Sequence, residues 1–244
     1  MIRFIITILF IFIFLLISLI LIPIGLLIGL FSKKARRSYS RCLVHFALGM
    51  VQVFSGAKAE YIGFENVPKD ESVTFIMNHR SIFDIILIYH IFPRCMGFVA
   101  KKEMEKLFVF TWWMKMIDCK FLDRNDVRQG MEIIKESGEL VKDGVTMAIC
   151  PEGTRNKTDE VMLEFHKGSF KIAERAGSKL VPVVFNNTED IFEKHFPKLK
   201  PVHVTIEFLP AIDVSQMSMP EKKLLSENVR EDMVKTYIKN QELI

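Results

Sequence analysis

The stretch SVTFIMNHRSIFDIILIYHI, residues 72–91, decides the fold. Residues 72–77 form a β-rich apolar run, and residues 81–91 have the length and composition of a helix. A strand that leads directly into a helix is the repeating unit of α/β proteins. The stretch therefore predicts an α/β fold with a largely parallel or mixed sheet flanked by helices.

The same alternation continues along the chain without an internal repeat. Further strands are predicted at residues 97–100, 119–122, 145–150, 180–185 and 202–208. Helical segments are predicted at residues 103–116, 126–142 and 169–176, and an exposed helix is predicted after Pro220.

The N-terminal segment contains no charged residue from position 4 to position 31 and is mostly apolar. A helix of roughly 28 residues, at about 1.5 Å per residue, is longer than a hydrocarbon core of about 30 Å. The apolar part of a cleaved signal peptide is shorter, and a small-residue cleavage site follows it, whereas a basic cluster follows here. A retained, membrane-embedded helical segment is therefore predicted, in the cytoplasmic membrane. Four basic residues follow the apolar segment: Lys33, Lys34, Arg36 and Arg37. Because basic residues beside a membrane helix favour the cytoplasmic side, we expect the rest of the chain to lie in the cytoplasm.

Two questions about this region stay open. Pro23, Gly25 and Gly29 allow a bent helix that re-enters one leaflet as well as a spanning helix. Residues 39–55 read as an amphipathic helix, which suits either the membrane interface or the core of the following domain. We divide the chain into an anchor, residues 1–57, and an α/β domain, residues 58–244. The net charge of +4 favours an anionic membrane surface over nucleic acid as a partner.

The cysteines and potential metal ligands show no paired spacing. The four cysteines are predicted to be reduced, buried thiols, and no metal or other cofactor is expected. They are Cys42, Cys95, Cys119 and Cys150.

The first polar motif follows strand 72–77. His79 lies on a predicted loop and Asp84 in the first turn of the next helix, so one helical turn brings the two side chains together. An imidazole can accept a proton from a hydroxyl at neutral pH, and a carboxylate on its other nitrogen fixes the tautomer. The pair would then activate an alcohol. Alternatively, Ser81 and Asp84 form only a capping box at the helix start.

A second motif, Pro-Glu-Gly-Thr-Arg at residues 151–155, follows strand 145–150. Gly153 permits close approach of a ligand, Thr154 offers a hydroxyl, and Arg155 offers a fork of donors suited to phosphate. Glu152 would accept a hydrogen bond from a substrate hydroxyl or pair with an arginine. A β-turn with a solvated charge pair is the alternative.

Two further segments complete the pattern. Phe-Leu-Asp-Arg at residues 121–124 again ends a β-rich run with an arginine, Arg124, which could instead pair with Asp123 or Asp126. Residues 180–185 form an apolar strand in which Pro182 cannot donate to a sheet ladder. On its own, this strand is more typical of a core than of a site.

These four segments, in this order from residue 72 to residue 184, resemble the glycerolipid acyltransferase family, most closely the bacterial 1-acyl-sn-glycerol-3-phosphate acyltransferases. The resemblance implies that His79 is the general base and Asp84 its orienting partner. It implies that Arg124 and Arg155 bind phosphate, that Glu152 and Gly153 line the glycerol-phosphate site, and that Pro182 serves acyl-donor binding or packing. Lys101 and Lys167 are implied as further basic residues near the phosphate. This sequence departs from the family at three positions, where Pro or Gly is usual: Phe108, Thr111 and Asp118.

The implied reaction moves a fatty acyl group from acyl-acyl carrier protein or acyl-coenzyme A to the sn-2 hydroxyl of 1-acyl-sn-glycerol-3-phosphate, giving phosphatidic acid. No acyl-enzyme is expected, because Ser81 has no independent base beside it in the sequence and Cys150 belongs to a core strand. Three alternatives stay open. They are an acyltransferase for another lysolipid, a lipid or thioester hydrolase with the same pair, and a lipid-binding protein without chemistry.

Overall fold

The computed structural model describes residues 1–243 and has the strand and helix alternation that the sequence predicts. The helices are α1 (Ile2–Phe31), α2 (Lys33–Ser55), α3 (Ile82–Ile91), α4 (Val109–Met116), α5 (Val127–Lys142), α6 (Lys171–Ala176) and α7 (Met219–Asn240). The strands are β1 (Lys58–Ile62), β2 (Thr74–Met77), β3 (Met96–Lys101), β4 (Lys120–Leu122), β5 (Thr146–Ile149), β6 (Lys179–Asn186), β7 (His203–Phe208) and β8 (Ile212–Asp213).

The strands form one mixed sheet in the order β1-β7-β6-β2-β5-β3-β4, and β8 pairs with β6. The central pairings are parallel, while β7 and β8 run antiparallel to β6. The predicted α/β class with a mixed sheet is confirmed. The short strands β1 and β8 were not predicted.

Both faces of the sheet are covered, as the buried strands require. Phe75 and Met77 of β2 face a core shared with α2, α3 and α4, whereas Ile76 faces a core shared with α5, α6 and α7. Burying one such side chain contributes about 1.5–3 kcal/mol. The fully buried strand β2 therefore holds the loop that follows it, residues 78–81, at a fixed place in the molecule.

Helix α1 folds back on α2 as an antiparallel pair. Tyr39 donates to the carbonyl of Leu21 at 2.9 Å, and Arg3, at the other end of the pair, donates to the carbonyl of Phe54 at 3.3 Å. Among the described residues, α1 is the one helix long and apolar enough to cross a membrane, with a mean hydropathy of 3.4 over its most apolar window and 17% of that window buried. Because this finding rests on length and composition, membrane insertion stays a prediction.

Helix α2 contributes to the core. It begins at Lys33, six residues earlier than predicted, and Val44, Ala47 and Val51 are buried, whereas Phe46 and Val53 are exposed. One face of this amphipathic helix thus belongs to the protein interior. It ends at Ser55, and β1 begins at Lys58, so residue 57 lies between the helical pair and the sheet.

Two of the four basic residues that follow α1 form ion pairs with the α/β domain. Arg36 and Arg37 bind the carboxylate of Asp118 at 2.8 and 2.6 Å, and Arg37 also binds Asp143 at 2.7 Å. These two arginines hold the helical pair to the domain, which leaves Lys33 and Lys34 as the exposed basic residues of the cluster.

Two further expectations need correction. The helix after Pro220 is present but is not simply exposed, because Leu225, Val229 and Met233 are buried against the sheet. All four cysteines are free, but only Cys119 is a buried residue; Cys95 and Cys150 are partly exposed, and Cys42 is exposed.

Candidate active site

The candidate site lies where β2 and β5 end. These two strands are parallel neighbours, so the loops after Met77 and Ile149 emerge side by side at one edge of the sheet. The backbone N–H of Asn156 donates to the carbonyl of His79 at 2.7 Å and ties the two loops together. The topology thus brings together two motifs that lie about 70 residues apart in the sequence.

The loop after β2 is fixed to the neighbouring strand β6 by Asn78. Its amide donates to the carbonyl of Phe185 at 3.0 Å and accepts from the N–H of Phe185 at 2.8 Å. The side chain is buried. Asn78 therefore extends the sheet pairing by one residue and sets the position from which His79 projects.

His79 and Asp84 are in direct contact. Nδ1 of His79 lies 2.9 Å from Oδ2 of Asp84. That oxygen also accepts from the backbone N–H groups of Arg80 and Ser81, both at 2.9 Å. Ser81 in turn accepts from the N–H of Phe83. The two interpretations of the sequence are therefore compatible: Asp84 completes the capping box of α3, and it also orients His79.

The environment of Asp84 fixes the carboxylate completely. Its side chain has no exposed surface, and its second oxygen, Oδ1, accepts from the hydroxyl of Thr188 at 2.5 Å. Nδ1 of His79 faces a carboxylate acceptor and so carries the proton, which leaves Nε2 as the basic nitrogen. The imidazole is 21% exposed. A hydroxyl could therefore approach Nε2 from outside.

Glu152 pairs with no arginine in the part of the chain that the structure describes, and its hydrogen bond to a substrate hydroxyl stays a prediction. Its two oxygens accept from the backbone N–H groups of His79 at 2.8 Å and Leu163 at 2.9 Å, and the residue is 4% exposed. Burial raises the pKa of the Glu152 carboxyl, although both N–H donors act in the opposite direction. These contacts favour a role in positioning the backbone of His79 over direct contact with substrate.

Arg155 is partly exposed and interacts with a carboxylate that sequence reasoning did not identify. Its Nη1 lies 3.2 Å from Oε1 of Glu193. Glu193 also accepts from the hydroxyl of Ser81 at 2.6 Å and from the N–H of Ile82 at 2.8 Å. The inference that Ser81 has no base beside it is therefore wrong. Ser81 is nevertheless fully buried, and its oxygen caps α3, so it is not placed as a nucleophile.

Gly153 and Arg124 lie next to each other although they come from different loops. Gly153 has φ +70°, and a Cβ built on it would lie 3.9 Å from Nε of Arg124 and 3.0 Å from the ring of His166. Only glycine fits here without strain. The two carboxylates of the alternative interpretation are engaged elsewhere: Asp123 binds Lys102 at 3.0 Å, and Asp126 caps α5. Arg124 is exposed beside the Pro-Glu-Gly-Thr-Arg loop, where an anion could reach it.

The remaining predicted residues differ in their placement. Lys101 ends β3, opposite Leu122 of β4 and close to Arg124, and it pairs with Glu103 at 2.8 Å. Thr154 is exposed on the same loop as Arg155. Lys167 binds Glu227 of α7 at 2.8 Å. Pro182 lies in the buried interior of β6 opposite Ile76, which favours packing over donor binding.

Cys150, the other candidate nucleophile, follows β5 directly. Burial raises the pKa of its thiol well above the ordinary value, and the carboxylates of Asp84 and Glu152 act in the same direction. The thiol therefore stays protonated at neutral pH and is a poor nucleophile.

The comparisons with known proteins agree with this geometry. The Acyltransferase family model matches residues 58–186, more than half of the chain. The 1-acyl-sn-glycerol-3-phosphate acyltransferase of Saccharomyces cerevisiae is 29% identical over 199 residues, which cover 81% of this chain and 64% of that protein. The protein of the same name from Borreliella burgdorferi is 28% identical over 181 residues, or 74% of this chain and 72% of that protein.

A solved structure is similar along nearly its full length. The 1-acyl-sn-glycerophosphate acyltransferase PlsC from Thermotoga maritima has a TM-score of 0.72 and 25% sequence identity, and the match covers 97% of this chain and 98% of that chain. The curated relatives are longer, and the chain spans 64% of the yeast protein and 53% of the probable Mycoplasma pneumoniae enzyme. The matched region contains both polar motifs and the strands that hold them, and the chain therefore belongs to the acyltransferase family.

Proposed function

We propose that this chain transfers a fatty acyl group from a thioester to the sn-2 hydroxyl of 1-acyl-sn-glycerol-3-phosphate, giving phosphatidic acid. The contact between His79 and Asp84 carries the proposal, because it provides an oriented base at an accessible edge of the sheet. The names of the relatives in yeast and Borreliella burgdorferi support this acceptor.

In the proposed mechanism, Nε2 of His79 accepts the proton of the sn-2 hydroxyl while the hydroxyl oxygen attacks the thioester carbonyl. The tetrahedral intermediate then collapses, the carbon–sulfur bond breaks, and the imidazolium returns the proton to the departing thiolate. The products are an ester and a free thiol. Asp84 stabilises the transient imidazolium, as a buried carboxylate on Nδ1 does in other His-Asp pairs.

The acceptor's phosphate would lie against Arg155 and Arg124, with Lys101 next to them. Thr154 offers a hydroxyl on the same loop, and Gly153 leaves room for the ligand. Guanidinium groups suit phosphate because their donors form a fork. Lys167 has the weakest support in this set, because its ammonium group pairs with Glu227 of α7.

The acyl donor would be acyl-acyl carrier protein or acyl-coenzyme A, with no resident cofactor. Direct transfer is favoured over an acyl-enzyme because Ser81 is buried in a helix cap and Cys150 has a raised pKa. A second candidate, hydrolysis of the thioester by water, uses the same oriented base. Transfer to an acceptor is favoured over hydrolysis, because Arg124 and Arg155 would bind the phosphate of an acceptor and water needs no such site.

The protein would act at the cytoplasmic membrane with its α/β domain in the cytoplasm. Residues 1–57 would form the anchor, because α1 is apolar and mostly exposed along its length. Lysophosphatidate and its product are bilayer lipids, whereas the thioester donor arrives from the cytoplasm. An anchored site would therefore meet both substrates at the headgroup layer.

Product identification with a matched pair of variants tests the proposal. The purified protein is offered lysolipids with and without phosphate, together with each thioester donor, and the products are identified by mass. We expect phosphatidic acid from wild type and a loss of about 10²–10⁴-fold in kcat for His79→Ala. His203→Ala is the control, because His203 also faces a carboxylate, that of Glu60, but lies on β7, two strands from β2 in the sheet.

The outcomes separate the candidates. Free fatty acid without an acyl acceptor product would assign a hydrolase. Retention of a third of wild-type kcat by His79→Ala would remove the histidine from the mechanism, whatever the product.

A further inference from the structure

The surface beside the site carries three exposed aromatic side chains on the segment that follows β3. We call Phe108, Phe110 and Trp112 the aromatic ridge; they are 76%, 45% and 44% exposed. Leu107 and Met104 precede them and are also exposed. Several large exposed apolar side chains in one short segment are uncommon on proteins surrounded by water, and exposed apolar surface of this kind marks interaction surfaces.

The ridge borders the apolar helix α1. Trp113, the neighbour of Trp112, stacks on Phe14 with ring centroids 5.8 Å apart and donates to the hydroxyl of Ser18 at 2.9 Å. The exposed side chains of α1 nearby include Leu16 and Ile17. The ridge therefore continues the apolar surface of α1 onto the α/β domain.

The ridge also starts at the edge of the sheet that carries the candidate site. β3 runs parallel to β5, so its last residue, Lys101, lies at the same edge as the loop of Arg155. The segment from Lys102 to Met116 leads from that edge to α1. It thus connects the site with the apolar helix.

The composition of the segment fits a bilayer interface. Residues 101–116 contain four lysines and two glutamates. Nζ of Lys115 lies 5.9 Å from the ring centroid of Trp112. Tryptophan is enriched at the headgroup level of membranes, and lysine side chains reach from there into water. Trp112 and Lys115, three residues apart on α4, therefore fit the headgroup layer of a membrane.

The backbone adds an independent observation. Phe108 has φ +37°, a value that a bulky side chain rarely adopts. Strained residues of this kind persist where the surrounding structure enforces them, and they concentrate at functional positions. Here the strained residue is also the most exposed member of the ridge.

We propose that the aromatic ridge is a second membrane contact that inserts into the interfacial layer of a phospholipid bilayer beside α1. Its partner is the bilayer itself. The inference rests on the membrane association in the proposed function. It goes further in assigning a lipid contact to the α/β domain, which would hold the mouth of the site at the headgroups.

Trp112 is a natural probe of this contact. The full-length protein is bound to vesicles of phosphatidylglycerol and phosphatidylcholine, with or without bromine on the acyl chains of the phosphatidylcholine, and tryptophan emission is measured. The only other tryptophan is Trp113, which is 4% exposed. The difference in emission between wild type and Trp112→Phe reports Trp112, and we expect bromine to reduce this difference.

The proposal would be overturned if bromine did not reduce the emission that wild type has in excess of Trp112→Phe, provided that both proteins sediment with the vesicles. Trp112 would then face water, or another protein molecule, instead of lipid. Acyl transfer measured on the same samples keeps this result separate from the proposed function, because an active, vesicle-bound enzyme with an unquenched Trp112 refutes the ridge alone.

A matched pair of variants tests the neighbouring residue. Phe108 and Val127 are both 76% exposed, but Val127 begins α5 and lies outside the ridge. We expect Phe108→Asp to lose the quenching that Trp112 contributes, whereas Val127→Asp keeps it. Full quenching in Phe108→Asp would exclude insertion of the ridge, and comparison of the two far-ultraviolet spectra checks that both variants fold.

Discussion

The hydroxyl of Thr188 donates a hydrogen bond of 2.5 Å to Oδ1 of Asp84, while the other oxygen, Oδ2, faces Nδ1 of His79. Thr188 and Asp84 are both fully buried. The hydroxyl therefore fixes the rotation of the carboxylate, and through it the imidazole. Thr188 is a positioning residue, because it acts on the reaction through Asp84.

Replacing this hydroxyl should lower kcat with little change in the acceptor KM. A hydrogen bond to a charged group contributes about 1.5–3 kcal/mol, and a buried acceptor that loses its donor is costly. We expect Thr188→Val to lower kcat about tenfold, less than His79→Ala, and Thr188→Ser to restore it. Steady-state kinetics measures both. A Thr188→Ser enzyme as slow as Thr188→Val would show that shape, not the hydroxyl, matters.

Loss of the Arg155 guanidinium should weaken binding of phosphate-bearing acceptors. A charge-assisted hydrogen bond of about 1.5–3 kcal/mol corresponds to a rise of about ten- to 150-fold in KM. We expect Arg155→Ala to show this rise with lysophosphatidate. A lysolipid without phosphate should show no rise in KM. The same change in KM with both acceptors would reject the phosphate role of Arg155.

The carboxylate of Glu193 pairs with Arg155, so an incoming phosphate must compete with it. Glu193→Gln keeps an acceptor for the N–H of Ile82 but removes the negative charge. Arg155 is 44% exposed, and exposed pairs contribute about 0.2–1 kcal/mol, so we expect KM for lysophosphatidate to fall by up to about fivefold.

Glu71→Gln is the control for this variant. Glu71 pairs with Lys179, which begins β6 at the opposite edge of the sheet from the site. The KM of Glu71→Gln for lysophosphatidate should match that of wild type. A higher KM in Glu193→Gln would mean that Glu193 orients Arg155 for phosphate instead of competing with it.

The sequence predicted the parts of the site that local geometry determines. His79 and Asp84 lie five residues apart across a strand end and a helix start, so their contact follows from the secondary structure alone. Arg124 and Arg155 were selected because each ends a motif that follows a strand, and their contact with phosphate stays a prediction. The mixed sheet followed from the recurrence of strands and helices.

Thr188 and Glu193 could not be found in this way. Thr188 lies 104 residues from Asp84, and Glu193 lies 112 residues from Ser81, in a polar segment without a recognisable motif. The packing of β6 beside β2 brings this segment to α3, and a local pattern does not specify that neighbour. The hydrogen bond between Glu152 and the N–H of His79 escaped local reasoning for a similar reason, since the two residues lie 73 positions apart.

The ion pairs of Asp118 should stabilise the attachment of the helical pair to the domain. Asp118 has φ +60° and binds both Arg36 and Arg37, and its side chain is 12% exposed. Asparagine tolerates positive φ, so Asp118→Asn removes the charge without new strain. We expect the free energy of unfolding to fall by about 1–3 kcal/mol, measured by urea denaturation in detergent.

Asp143→Asn is the matched control for Asp118. Asp143 binds Arg37 alone and is 63% exposed, so its loss should cost at most about 1 kcal/mol. If both variants lost the same free energy of unfolding, burial would not be what makes the Asp118 ion pairs stabilising.

The contact between α2 and α3 should weaken in acid because of His90. Burial, with a further contribution from His45, lowers the pKa of His90 below its ordinary value of 6.5. The two rings lie 4.9 Å apart, and a Cβ built on Gly49 of α2 would lie 2.7 Å from Nδ1 of His90. The folded protein therefore favours neutral His90.

The sign of the pH dependence follows from this lowered pKa. The contribution of neutral His90 to the free energy of unfolding is present above its ordinary pKa of 6.5. This contribution is lost as pH falls through the lower pKa that His90 has in the folded state. We expect Tm to decrease between neutral pH and about pH 5, and to decrease less in His90→Gln, because glutamine does not titrate. His203→Gln, at an exposed position paired with Glu60, should keep the wild-type slope. Identical slopes of Tm against pH in wild type and His90→Gln would place the acid sensitivity in other groups, since His90 would then bind no extra proton on unfolding.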